Sequence, residues 1–152
     1  MSTVRASIPE EYPVIAPVIL SASRSTDIPA RHAKWFMERL RQGWFGWVNP
    51  FNRKRYAVSL QNTRAIVFWT KHAAPLFPYL DEIEERGFHF YFHYTLNDYE
   101  AEGLEPNIPP LDRRIETFRG LSEKIGPERV IWRFDPIILH EGQSARDILH
   151  KI

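Results

Sequence analysis

The stretch Val130-Ile131-Trp132-Arg133-Phe134-Asp135-Pro136-Ile137-Ile138 decides how the chain is read. Its first five residues are β-branched or aromatic, with one arginine, and predict a buried strand. Asp135-Pro136 ends that strand, because proline has no N–H for a sheet ladder and restrains the residue before it. Alternation puts Ile131, Arg133 and Asp135 on one face and Val130, Trp132 and Phe134 on the other. A charged pair at the end of an apolar strand is costly to bury unless its members are paired or hydrogen-bonded. Three earlier stretches end the same way, and the repetition sets the fold.

The first is a strand over 18–21, running into the polar loop Ala22-Ser23-Arg24-Ser25-Thr26-Asp27-Ile28-Pro29. Asp27 or Thr26 caps the helix that follows, Pro29 suits its first turn, and the helix over 30–42 stops at Gly43. The second, 65–70, reads Ala-Ile-Val-Phe-Trp-Thr and meets Lys71-His72. Pro75 then opens a helix to about residue 86, stopped by Gly87. The third, 88–96, alternates Phe88, Phe90, Phe92 and Tyr94 against His89, Tyr91, His93 and Thr95. A long loop over 97–110 leads to a helix over 111–125, with Ile115, Phe118, Leu121 and Ile125 at helical spacing. Between the first and second units, 44–48 and 55–60 flank Asn49-Pro50-Phe51-Asn52, which predicts a hairpin or an extended excursion. Ser144 with Asp147 is a capping-box start of a last, short helix.

Strand and helix alternating at this spacing predict an α/β fold of parallel (βα) units, half of a TIM-like barrel with an inserted hairpin after the first helix. Near-continuous apolar strands predict a sheet covered on both faces. The expected division is an arm over 1–17 and a partial (βα)4 barrel domain over 18–152, cut short in its fourth helix.

Composition narrows the class. In 152 residues, 43% are apolar and 26% charged, ordinary for a globular domain with a real core. A formal charge of +1 gives no global argument for nucleic acid. With no cysteine, disulfides, thiolate zinc sites and cysteine-ligated iron–sulfur clusters within these residues are excluded. The longest apolar run, 14–20, is interrupted by Pro17 and too short to span a bilayer, so the expectation is a cytoplasmic protein without membrane contact.

Several of these stretches together resemble a known family. Leu20 to Pro29, Asn49-Pro50-Phe51, Ile66 to Lys71, Tyr94-Thr95-Leu96 and Ile125 to Pro136, in this order, resemble the N-terminal half of the bacterial domain-of-unknown-function family 1848. The resemblance implies longer, barrel-shaped relatives with a C-terminal cysteine cluster, compared with the iron–sulfur site of radical S-adenosylmethionine enzymes. It implies an iron–sulfur cluster and S-adenosylmethionine as cofactors of full-length relatives. None is expected in this cysteine-free chain, which is expected to be inactive alone.

In parallel α/β folds, ligands bind beyond the carboxyl ends of the strands. Those ends offer Ser23, Arg24, Thr70, Lys71, Thr95 and Asn97 for substrate or cofactor binding, and Asp27, His93, Arg133 and Asp135 for catalysis. Arg24, Lys71 and Arg133 would hold a small anionic molecule, His93 would transfer protons, and Asp27 and Asp135 would orient them. Each has a plainer reading: Asp27 as a helix cap, Lys71 as a solvated loop lysine, His93 as a satisfied core histidine, Arg133 and Asp135 as a structural ion pair. No metal site is expected, because His89 and His93 on one strand stand about 13 Å apart. Trp44, Phe45, Trp47 and Phe51 followed by Arg53, Lys54 and Arg55 could stack and bind single-stranded nucleic acid, but read better as a hairpin with a solvated tip. The alternative to an enzyme-derived half is a binding module that self-associates or pairs with a missing C-terminal half.

Overall fold

The computed structural model describes residues 7–23, 26–138 and 144–152. In chain order the elements are β1 (Val14–Ile15), β2 (Ile19–Ala22), α1 (Ile28–Arg31), α2 (Ala33–Gln42), β3 (Trp44–Val48), β4 (Arg55–Ser59) and β5 (Ala65–Thr70). A 3-10 segment (Ala74–Tyr79), α3 (Leu80–Glu85), β6 (His89–Thr95), α4 (Leu111–Ile125), a second 3-10 segment (Pro127–Arg129), β7 (Val130–Arg133) and α5 (Ala145–Leu149) follow.

Four strands form the main sheet in the order β2-β5-β6-β7, every pairing parallel. The spatial order is the chain order, so each crossover steps to the next strand without reversal. Register puts Leu20 beside Ile66, Phe68 beside Phe92, and Tyr94 beside Trp132 on one face. That face joins Phe36, Met37 and Leu40 of α2, Leu80 and Ile83 of α3, and Leu121 and Ile125 of α4 in one core. Phe68 is its centre, stacked on Phe92 at 5.0 Å and edge-on to Phe36 at 5.5 Å. Pairs of this kind add about 0.5–1.5 kcal/mol each beyond their buried area.

The opposite face has no helix packed on it among the described residues. Cover on both faces was the expectation, and the structure corrects it. Ile19 is 63% exposed and Ile131 43%, Trp69, Tyr91 and His93 between them are half-buried, and Val67 on the same face is buried. The alternation expected for 89–95 is present, with Phe90, Phe92 and Tyr94 buried and their neighbours not.

A second, three-stranded sheet, β1-β4-β3, holds the hairpin, antiparallel from Trp44↔Ser59 to Val48↔Arg55. Residues 14–15, expected within an arm, instead pair in parallel with Ala57 and Val58. Three further differences have local causes. The helix expected over 30–42 is jointed at His32, whose φ of −133° leaves the helical region. Pro78 lacks the N–H an α-turn needs, so the helix expected from Pro75 begins as a 3-10 segment. The fourth strand ends at Arg133, where Leu96 N donates to Arg133 O at 3.0 Å, and the Asp135-Pro136 bond beyond it is cis. That strand is the edge of the sheet among the described residues, so Trp132, although on the helix-side face, is 44% exposed rather than buried. The capping box is present, with Ser144 and Asp147 each accepting from the other's backbone N–H.

Candidate functional site

Polar side chains gather where β2, β5, β6 and β7 end. Asp27 starts α1: its Oδ1 accepts from Ala30 N at 3.0 Å, capping the helix. The same carboxylate accepts from Thr70 Oγ1 at 2.8 Å and Lys71 N at 2.9 Å, so it also ties α1 to the end of β5. All of its short contacts are to backbone and Thr70; in this arrangement Asp27 positions its neighbours. Ser23, held at a φ of 100°, accepts from Ile28 N at 3.1 Å through Oγ and keeps the turn into α1 closed. Arg24 lies outside the described residues.

Lys71 reaches along the rim to an ion pair with Glu105 and to Asn97 Oδ1 at 3.4 Å. Burial, with Arg114 nearby, pulls its ammonium below the usual lysine range. Asn97 is 1% exposed; its Nδ2 donates to Asp135 O at 3.2 Å, and its own carbonyl accepts from Arg114 Nη1 at 2.9 Å. Arg114 is fully buried at the start of α4, with Nε on Pro109 O at 2.9 Å and Glu100 3.7 Å from Nη2. The loop 97–110 is thereby fastened over the strand ends. Tyr99 and Lys151 extend the fastening, Tyr99 to Pro136 O at 2.8 Å and Lys151 to Asp98 O at 2.7 Å.

A second group stands on the bare face. The Trp69 indole stacks on His93 at 4.1 Å, and the Arg133 guanidinium lies 4.6 Å from the Trp69 ring centre. Arg133 Nη2 pairs with Asp135 at 2.6 Å, and Thr95 is its register neighbour. Burial, then the charge of Arg133, lowers His93 below its ordinary 6.5, so the ring is neutral at pH 7. Among the described residues, neither Trp69 Nε1 nor His93 Nδ1 has a hydrogen-bond partner, although both atoms are buried.

The expected residues therefore fall into two groups. Asp27, Thr70, Lys71 and Asn97 form one connected rim; His93, Thr95, Arg133 and Asp135 line the bare face, and Asn97 bridges to Asp135. Sequence reasoning missed Arg114, Glu105, Tyr99 and Trp69. For Arg114 a signal existed: 114, 118, 121 and 125 share the apolar stripe of the helix, where an arginine must be buried with partners. Trp69 shares its strand face with Lys71 by simple alternation. Glu105 and Tyr99 sit in an irregular loop whose path no periodicity reveals.

The hairpin carries its charges outward. Phe45 packs against the core, Trp47 tilts on Tyr56 at 5.8 Å, and Phe51 at the tip is 94% exposed beside exposed Arg53 and Lys54.

In parallel α/β sheets of the barrel and open-sheet types ligands bind at the strands' carboxyl ends, and that is where this sheet collects its polar groups. The chain belongs to the family described as Domain of unknown function (DUF1848), whose model matches residues 19–152. No curated protein and no solved structure matches it. An iron–sulfur cluster needs thiolate ligands, and these 152 residues include no cysteine. Nor do three His, Asp or Glu side chains converge among the described residues. The donor set present does not fit such a cluster.

Proposed function

We propose that residues 19–152 are one half of a (βα)-barrel enzyme of iron–sulfur, radical S-adenosylmethionine type, and that this half binds a small anionic substrate. The observation that carries the reading is the bare sheet face, where Arg133, Trp69 and His93 are stacked beside two buried, unpartnered nitrogens. Strands in chain order with helices on one side curl toward a barrel, and the helix-free side is then its interior. In that setting Arg133, with only Nη2 engaged among the described residues, offers its remaining N–H groups to an anion. Neutral His93 accepts a proton at a ring nitrogen, and Lys71 and Asn97 orient the ligand at the rim. Asp27 fixes the turn from which that rim is built. Turnover requires thiolates that these residues do not supply.

A second reading, a non-catalytic binding module, is favoured by one observation. The rim cations already have carboxylates: Lys71 with Glu105, Arg133 with Asp135, Lys151 with Glu102. Intrinsic fluorescence separates the two. Inorganic phosphate, small carboxylates and S-adenosylmethionine are titrated into the wild type, with Trp69→Phe to isolate the Trp69 signal. A saturable change carried by Trp69 and abolished in Arg133→Ala is the expected result. No saturable change with any of them overturns the anion-binding reading.

A further inference from the structure

We propose that the cavity at the carboxyl end of β5 binds a small dicarboxylate, one end of which displaces Glu105 from Lys71 while the other reaches Arg31. The inference shares Lys71 with the rim described above but needs neither Arg133 nor the bare face. The cavity measures about 650 Å³ and has Arg31 of α1, Lys71, His72 and the loop residues Asn107 and Ile108 in its wall. That volume is ordinary for a small-molecule site. Arg31 is exposed in the last turn of α1, and its guanidinium has no hydrogen bond or ion pair among the described residues. His72 Nδ1 is buried without a partner among the described residues, and burial lowers the ring's pKa, so it is neutral at pH 7. The Asp27 carboxylate in the same wall is turned to Ala30 N, Thr70 Oγ1 and Lys71 N, so its charge is met before a ligand arrives. Two cations in one wall, Lys71 and Arg31, suit a ligand with an anionic group at each end.

The Lys71–Glu105 pair says why the ligand is a carboxylate. The two side chains are only 25% and 16% exposed, and a cation withdrawn this far from water must keep an anion beside it. Glu105 therefore leaves only when another anion takes its place, and a ligand carboxylate replaces it like for like. Glu105 is also incompletely satisfied where it stands. Lys71 engages its Oε1, while Oε2 is buried with no partner among the described residues. The pair sits between two spaces: Lys71 lines the larger cavity, Glu105 a smaller one of about 180 Å³, and Ile108 lines both. The loop is tied at its two ends, by Tyr99 to Pro136 O at 2.8 Å and by Pro109 O to Arg114 Nε at 2.9 Å. The stretch between those ties carries Glu105 and has room to draw back when a ligand takes over Lys71.

Isothermal titration calorimetry with malonate, succinate and glutarate tests this, with acetate and inorganic phosphate for comparison. The expected result is saturable binding of one dicarboxylate at least about tenfold tighter than acetate or phosphate. Arg31→Ala changes an exposed side chain without partners, so the fold is kept, and it should bring that dicarboxylate down to the acetate level. Glu105→Gln removes the competing carboxylate and should tighten binding roughly fivefold. Asp98→Asn, which takes the same charge from the same loop away from Lys71, should leave binding unchanged. No saturable binding of any dicarboxylate, a preference for phosphate, indifference to Arg31→Ala, or no tightening in Glu105→Gln overturns the proposal. So does an equal tightening in Asp98→Asn, which would reduce the effect to net charge. Dicarboxylate binding lost in Arg133→Ala belongs to the bare face and overturns this site alone. Binding that persists in Arg133→Ala, with no Trp69 response to any anion, leaves this site standing and removes the earlier reading.

Discussion

Asp27 is the residue on which most local order turns, because one carboxylate meets the start of α1, the end of β5 and the first residue of the rim. Removing it costs one helix cap, worth about 1 kcal/mol, and two further hydrogen bonds of similar size. Asp27→Ala should therefore lose roughly 2–4 kcal/mol in urea unfolding, while Asp27→Asn, which still caps, loses less. The cap was legible in Asp27-Ile28-Pro29. The bond to Thr70 was not, since nothing local links positions so far apart. His93 gives a second test. Burial and Arg133 lower its folded pKa, and burial also lowers His72. The unfolded chain takes up protons near 6.5 that the folded chain refuses until lower pH. Their contribution is thus complete above 6.5 and is lost as pH falls through the folded values. Nuclear magnetic resonance titration should place both rings below 6.5, and stability should decline from about pH 7 to about pH 5 less steeply in His93→Phe.

Among the elements, α2 and α3 are joined at the surface by a shared carboxylate. Glu82 accepts from Arg41 Nε at 2.8 Å and Nη2 at 2.6 Å, and from Arg86 Nε at 2.8 Å. The hydrogen bonds from Arg41, then Arg86, pull Glu82 down to about 2. Its contribution is complete above the ordinary carboxylate value of 4.5 and disappears as pH falls through about 2. Glu82→Gln should cost about 1 kcal/mol at neutral pH, as exposed bidentate pairs do, and clearly less as pH falls toward 2. Thermal melts at both pH values check this. The elements themselves were largely readable: α4 ends where Gly126 follows Ile125, and β6 shows its two-residue period. What escaped was the 3-10 turn at Pro78, although its missing N–H was in the sequence, and the joint at His32, whose backbone angle no side-chain pattern announces.

For the whole molecule, the parallel order of strands followed from alternation of strand and helix, but the cover did not. Val67 and Trp69 are as apolar as Ile66 and Phe68, so the face of β5 that packs on helices and the face that does not have the same composition. The candidate site shows the same limit. Strand ends announced Lys71, Asn97, Arg133 and Asp135. The partners that organise them, Arg114 and Glu105, come from a helix and loop whose docking only the folded chain defines.

The short strand β1 has a consequence for how the molecule is made. Val14 and Ile15 leave the ribosome early, yet their partners Ala57 and Val58 are synthesised after the first helices and most of the hairpin. At ordinary translation rates that wait is on the order of seconds, long enough for α2, β3 and β4 to meet first. The beginning of the described chain can thus take its place in the small sheet only once β4 has been made. Until it does, β4 remains an unpaired border, open to whichever neighbouring nascent chain arrives first.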